Sequence, residues 1–265
     1  MGCILSFNKE VDMNRWLIQI LICVIALTMV FSIGFAQKVR TIPQLQIISL
    51  DSLKKLDSLQ GAAGGKSLQA SPYWGGADAN ADTVTVTGVV MVKPGVLTYT
   101  LARYNIYVQD TTTGQLWGGL NVLTNDTLAG AQASGITALD TGMVVTITGR
   151  ILEFGSQNNS LTEMYHYSAS TPAYTSPPPI SIGTIINRPG AKEIPLSALS
   201  SGTLPHPSTG EPYEGMYVIV RNVTVISVDY SSGRFTYQDS LGNVGYIYDG
   251  SGWYTLRGHK FSSSR

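Results

Sequence analysis

The hydrophobic pattern of the chain changes character twice. From Trp16 to Ala36 it is apolar almost without a break, interrupted by Gln19, Thr28 and Ser32. From Ile47 to Leu59 the leucines at 50, 53, 56 and 59 recur every third position, one stripe of a short amphipathic helix. Gly61-Ala-Ala-Gly-Gly65 then breaks that pattern. From Asp82 the period is two. Thr83-Val-Thr-Val-Thr-Gly-Val-Val-Met-Val92 alternates as a half-exposed strand should, with Gly88 marking a bulge or bend. Tyr104 to Gln109 reads as a second strand, Asp110 to Gly114 as a turn, and Gln115 to Leu123 as a third strand. Asp126 to Asp140 holds one short helix. Met143 to Phe154 is a long fourth strand, with Val145, Ile147 and Ile151 on one face and Thr146, Thr148 and Arg150 on the other. Leu161 to Tyr167 is the fifth, after the turn at Gly155-Ser-Gln-Asn-Asn159.

Three strands, a short helix and two more strands is the order of the five-stranded Greek-key barrel known as the OB-fold. A β-sandwich is the competing architecture, although it usually has about seven strands and residues 83–167 hold five. The expected class is therefore all-β. Residues 37–82 form a leader with its amphipathic helix, a spacer or a helix packed on the domain that follows. Residues 83–167 form an OB-like barrel, and Ser168 to Pro179, with three consecutive prolines, a semi-rigid linker.

Residues 180–265 form a second β unit that echoes the first. Met216-Tyr-Val-Ile-Val-Arg-Asn-Val-Thr-Val-Ile226 resembles the first strand. Phe235-Thr-Tyr-Gln-Asp-Ser-Leu-Gly242 resembles Ile106-Tyr-Val-Gln-Asp-Thr-Thr-Thr-Gly114, so that Gln238 and Asp239 correspond to Gln109 and Asp110. Nothing after Gly245-Tyr-Ile-Tyr-Asp249 corresponds to the Met143–Phe154 strand. Half a barrel would leave open sheet edges, so the second unit is expected to be incomplete, completed by further chain or by another partner.

The apolar run at the N-terminus follows Arg15 and ends Ser32-Ile-Gly-Phe-Ala-Gln37. Gly34 and Ala36 are the small residues a signal peptidase requires, which predicts an export signal over 1–36 cut between Ala36 and Gln37. An uncleaved anchor is the alternative, because about 20 apolar residues suffice to span a bilayer. Met13 is an alternative start. Met1-Gly-Cys-Ile-Leu-Ser6 matches the myristoylation pattern, which the export signal behind it makes a chance match. Both cysteines, Cys3 and Cys23, fall inside the signal, so the exported chain carries no thiol chemistry.

Composition narrows function more by exclusion. With 17 basic and 17 acidic side chains the chain is neutral, unlike a strongly basic nucleic-acid or membrane-surface protein. His166, His206 and His259 stand far apart and form no metal spacing. Neither a nucleophile elbow nor a phosphate-binding glycine loop is present. No catalytic residue, metal ligand or cofactor is expected. Asp110 and Asp239 read as turn residues. Asp78, Asn80 and Asp82 alternate but lack the Gly and Glu of a calcium loop.

What remains is the generic face of the fold, strands two and three. With Ile106 and Val108 inward, Tyr107 and Gln109 face outward, Trp117 stands near them on the third strand, and Arg150 lies on the fourth. These four are the candidate ligand-binding residues, for an oligonucleotide or an oligosaccharide stacking on the aromatics. Residues 83–170 hold three basic groups against five acidic ones, which disfavours tight autonomous DNA binding.

Thr83-Val-Thr-Val-Thr-Gly-Val-Val90, Ile106-Tyr-Val-Gln-Asp110 and Asp140-Thr-Gly-Met-Val-Val-Thr-Ile-Thr-Gly-Arg150 together resemble the OB-like modules of secreted bacterial proteins. Such modules precede extracellular endonuclease/exonuclease/phosphatase domains, and related ones occur in exported proteins of the Bacteroidota type. Glu211-Pro-Tyr-Glu-Gly-Met-Tyr-Val-Ile-Val220 is similar to the start of their second module. The resemblance implies a bacterial, exported, non-catalytic binding or positioning module, part of a larger secreted protein. An accessory nucleic-acid-binding region of a secreted nuclease and a structural or adhesive surface protein are the alternatives.

Overall fold

The computed structural model describes residues 38–59, 65–77, 81–97, 104–112, 114–125, 128–155, 160–168, 179–231 and 233–248. The expected export signal and its cleavage site, the two start codons, the body of the proline-rich linker, and Asp78 and Asn80 lie outside the described residues. Among the described residues no helix is long and apolar enough to cross a membrane.

Strands dominate and the helices are few and short. β1 (Thr83–Val90) is antiparallel to β4 (Met143–Phe154) from Thr83↔Arg150 to Val89↔Val144. At its far end β1 also pairs with β2 (Tyr104–Gln109), through Val89↔Gln109 and Val90↔Val108. Val89 therefore belongs to both ladders, and Gly88 beside it lets the strand turn from one to the other. A Cβ at Gly88 would come within 2.9 Å of Ile42 Cδ1 and 3.0 Å of the Gln109 carbonyl oxygen, so only glycine fits.

β2 pairs antiparallel with β3 (Gly119–Asn125), β3 pairs parallel with β5 (Leu161–Ser168), and β5 returns antiparallel to the second half of β4. The order β1-β2-β3-β5-β4 thus leads back to β1, and each of the five strands has a neighbour on both sides. β6 (Ser181–Ile185) takes the edge of β4's first half that β5 leaves open, through Met143↔Ile185 and Val145↔Ile182.

Alternation decides what fills the ring. Val84, Val86, Ile106, Val108, Leu120, Val122, Val145, Ile147, Ile151 and Met164 point inward and are all but fully buried. Removing such a side chain from water is worth about 1.5–3 kcal/mol. On the opposite face of β1 and β4, Thr85 and Thr87 hydrogen-bond Thr148 and Thr146 at 2.8 and 2.9 Å, cross-strand pairs that hold the register. The short helix expected between the third and fourth strands is α-helical over Leu128–Ser134 and continues as a 3-10 turn, and Ala131, Ile136 and Leu139 join the core.

The leader packs on this ring. Helix α1 (Ile42–Gln46) begins with a capping box: Gln44 N–H donates to Thr41 Oγ1, Thr41 N–H donates to Gln44 Oε1, and Pro43 lies in the first turn. Ile42 and Leu45 reach the core. Helix α2 (Leu50–Leu59) is the leucine-stripe helix, with Leu53 and Leu56 buried and Leu50 exposed.

The second unit contains a three-stranded antiparallel meander: β7 (Val223–Asp229), β8 (Arg234–Asp239) and β9 (Val244–Tyr248). Phe235, Tyr237 and Val244 are its buried hydrophobic residues.

Two expected strands are placed differently. The third strand begins at Gly119, not Gln115, and Trp117 lies in the preceding turn with a φ of 63°. Gly118 permits this tight turn, since a Cβ there would sit 2.7 Å from the Gln115 carbonyl oxygen. The Met216–Ile226 stretch divides as well. Val218–Ile219 pairs parallel with Lys192–Glu193, and β7 starts only at Val223, after Asn222 turns the chain with a φ of 57°.

Candidate ligand-binding face

The outer face of the ring is built by register. Tyr107 on β2 stands opposite Asn121 on β3, and Asn121 stands beside Glu163 on β5. These three form a row across the sheet, because residues paired across neighbouring strands share a face. Asn121 Nδ2 donates to Glu163 Oε1 at 2.8 Å. Asn105, two residues before Tyr107, donates to Asn121 Oδ1 at 3.4 Å. Tyr107 is half-buried. Burial first, and then the negative charge of Glu163 and Glu214, pushes its phenol above the usual range.

A later segment of the same chain lies against this face. A helical turn at Pro207–Gly210 and a 3-10 turn at Glu211–Tyr213 lead into Glu214-Gly-Met-Tyr217. Four polar contacts pin this strap. Trp117 N–H donates to the Pro212 carbonyl at 2.8 Å. Tyr217 N–H donates to Gln109 Oε1 at 3.0 Å. Thr162 N–H donates to Glu214 Oε1 at 3.0 Å. Ser208 N–H donates to Asp57 Oδ1 at 3.0 Å.

Backbone also meets backbone here. A Cβ at Gly119 would fall 2.2 Å from Gly215 C, and one at Gly215 2.9 Å from Gly119 C. Gly215 has a φ of 66° as well, so the crossing requires glycine on both sides. Gln46 Nε2 completes the junction with a 2.6 Å bond to the Gly119 carbonyl.

Carboxylates gather where the strap crosses. Glu153 is 5% exposed; its Oε1 accepts from Ser71 N–H at 2.8 Å and Thr162 Oγ1–H at 2.9 Å. Burial outweighs these bonds and pushes its carboxyl above the usual carboxylate range. On the strap, burial and then the nearby Glu153 charge push the Glu211 carboxyl up to about 8. Burial, followed by the charge of Glu211, holds Glu214 well above the usual carboxylate range. Removing a carboxylate from water disfavours its charged form, and a like charge beside it adds to the penalty.

The four sequence-derived candidates separate. Tyr107, Gln109 and Trp117 meet at the strap. Gln109 turns away from Ile106 and Val108 as expected, yet it is only 2% exposed, with its Oε1 accepting from the Tyr217 amide. Trp117 is half-buried and is held through its backbone. Arg150 stands apart, its Nε and Nη2 donating to the Ala81 carbonyl at 3.1 and 3.0 Å where the chain enters β1.

Glu153, Glu163, Glu211 and Glu214 carry most of the electrostatics and were not among the candidates. Alternation alone places Glu163 on the face of Tyr107, but no local signal brings Glu211 and Glu214 there. His166 is 1% exposed, with Nδ1 2.7 Å from the Thr148 carbonyl oxygen and Nε2 3.0 Å from that of Ser134. Among the described residues no group of three or more His, Cys, Asp or Glu is arranged to hold a metal ion. An open cleft beside the strap is lined by Leu116, Pro195, His206, Thr209, Pro212 and Tyr213.

Asp110 and Asp239 occupy equivalent turns. Asp110 Oδ1 accepts from Thr112 N–H at 2.8 Å. Asp239 Oδ1 accepts from Leu241 and Asn243 N–H, and its Oδ2 from Asn243 Nδ2. These bonds, the Asn243 side chain foremost, lower the Asp239 carboxyl.

No family model matches the chain, and no curated protein matches it. Among solved structures, the small single-stranded DNA-binding protein from Streptomyces coelicolor is similar at 19% identity over 31% of this chain and 84% of that one, with a TM-score of 0.20.

Proposed function

We propose that the chain is an exported, non-catalytic binding module whose strand ring is an OB-type barrel, and that it positions a ligand at the Tyr107–Asn121–Glu163 row. The observation that carries this reading is the pairing order β1-β2-β3-β5-β4-β1 with parallel β3 and β5. That connectivity is what the Greek-key barrel requires, and barrels of this type take oligonucleotides or oligosaccharides on the face of strands two and three. The apolar N-terminal run, with its Gly34 and Ala36, supports export.

The row's chemistry favours an uncharged ligand. Glu163 and Glu214 place negative charge beside Tyr107, and the Asn121 amide donates to Glu163 Oε1 within the row. A phosphate chain gains its affinity by neutralisation with basic groups. A neutral oligosaccharide instead stacks on an aromatic ring and exchanges hydrogen bonds with amide and carboxylate groups, which is what Tyr107, Asn121 and Glu163 offer.

The test is a titration of the exported chain with a panel of neutral oligosaccharides and with oligothymidylate, at about 20 mM and 200 mM salt. Saccharide binding independent of salt and weakened about tenfold by Tyr107→Ala is expected, given the typical worth of one aromatic stack. Steeply salt-dependent oligothymidylate binding would overturn the uncharged-ligand reading. Hydrolysis of any panel member by the chain would overturn the non-catalytic one.

A further inference from the structure

We infer that the Glu211–Tyr217 strap is a built-in cover over the Tyr107 face, and that it lifts as pH rises because it brings its own carboxyl groups down onto buried ones. This deepens the proposed binding function by assigning the same face a gate.

The geometry carries the argument. The strap approaches β3 so closely that backbone meets backbone at Gly119 and Gly215. It takes up the buried Gln109 side chain with the Tyr217 amide. While these contacts stand, the Tyr217 amide occupies the Gln109 Oε1 acceptor and Glu214 lies close enough to act on the Tyr107 phenol.

The charges around the junction come from every element packed there. β4 supplies Glu153, whose second oxygen, Oε2, is buried without a hydrogen-bond partner. β5 supplies Glu163, and β2 supplies the Tyr107 phenol. Helix α2 supplies Asp57, which accepts from the Ser208 amide. Lys66, at the start of the short helix Lys66–Gln69, is the cation acting on Glu153. Arg188 lies 5.0 Å from the centre of the Tyr217 ring. The described surroundings are richer in acid than in base, so closing the strap is compatible with neutral Glu211 and Glu214 and opposed by their charged forms.

The sign follows. Released into solvent, a glutamate ionises near its ordinary value of 4.5; under the closed strap Glu211 holds its proton up to about 8. The stabilisation of the closed form is complete below about 4.5, declines as pH rises, and has been lost once pH passes about 8. Opening that releases one proton becomes about tenfold easier per pH unit inside that window.

Limited chymotrypsin digestion of the full chain reads this without any ligand. Cleavage after Tyr213 and Tyr217 is compared with cleavage after Tyr230, an exposed turn residue of the same molecule, so that the enzyme's own pH dependence cancels. The ratio should rise at least about tenfold from pH 6 to pH 8. Glu211→Gln with Glu214→Gln, which mimics the protonated side chains, should keep the ratio low and flat. Gly215→Ala, which cannot make the backbone crossing, should hold it high at both pH values.

A flat wild-type ratio, or an equal rise in the double Gln variant, would overturn the gate. Saccharide binding to Gly215→Ala then reports on the function separately. If the strap lifts with pH and the permanently open variant binds neither oligosaccharide nor oligothymidylate, the gate stands and the binding function falls.

Discussion

Two regions of the molecule each run through three consecutive antiparallel strands, with opposite fates. β1, β2 and β3 share their plan with β7, β8 and β9: a Val/Thr-rich first strand, a second strand ending in Gln-Asp, and a hairpin closed by the Asp amide. Asp110 N–H donates to the Gly118 carbonyl and Asp239 N–H to that of Asn243. In the first copy β4 lies along β1, and Val84 and Val86 are essentially inaccessible. In the second, no strand among the described residues lies on the outer edge of β7, and Val225 and Ile226 are 43% and 52% exposed. Similar residues are core in one copy and surface in the other. A strand's alternation says which residues share a face; its neighbours decide whether that face is dry.

Breaking the ring should therefore cost far more than breaking the meander. Ile147→Ala, on the β4 strand that covers β1, is expected to cost about 3 kcal/mol by urea unfolding. Val225→Ala on β7 should fall within about 0.5 kcal/mol. Equal effects would mean that the two copies are packed alike.

The Gln residues sharpen the contrast. Gln109→Leu removes the acceptor for the Tyr217 amide at a buried site and should cost about 2 kcal/mol. Gln238→Leu, at a partly exposed position with one 3.4 Å bond to the Gly242 carbonyl, should cost about 0.5 kcal/mol. A double-mutant comparison by thermal unfolding separates the two.

The smallest effect belongs to the second turn. Hydrogen bonds to Asp239 lower its carboxyl below the ordinary 3.8, so their contribution is present above that value and fades as pH falls through the lowered one. Amide exchange at Leu241 and Asn243 should accelerate, relative to β2 amides, in strongly acidic solution. Asp239→Asn should remove that pH dependence.

Much of the ring was legible in the sequence because its signals are local. The Thr-Val alternation with Gly88, the Val145/Ile147/Ile151 stripe and the turn after Phe154 each declare a strand and its inner face within ten residues. The Trp117 position was not legible. Gln115-Leu-Trp reads as the start of a strand, and only the crowding at Gly118 shows that it is a turn. The Thr41 capping box also has a local signal, Thr-x-x-Gln at the start of a helix. The strap was illegible for a different reason. Gln109 and Tyr217 meet across 108 positions, and nothing in Glu-Pro-Tyr-Glu-Gly-Met-Tyr announces which surface it will cover. Alternation puts Tyr107 and Gln109 on the face opposite Ile106 and Val108, but a face is open only if nothing else in the chain folds over it.

The most direct test of that covered face is a solution NMR measurement of through-space contacts at pH 6. The Tyr217 amide should show a contact to the Gln109 side chain, and the Gly119 and Gly215 α-protons should contact one another, alongside cross-strand contacts between Val86 and Ile147. Ring contacts without the Tyr217–Gln109 and Gly119–Gly215 contacts would contradict the account and leave the Tyr107 face open.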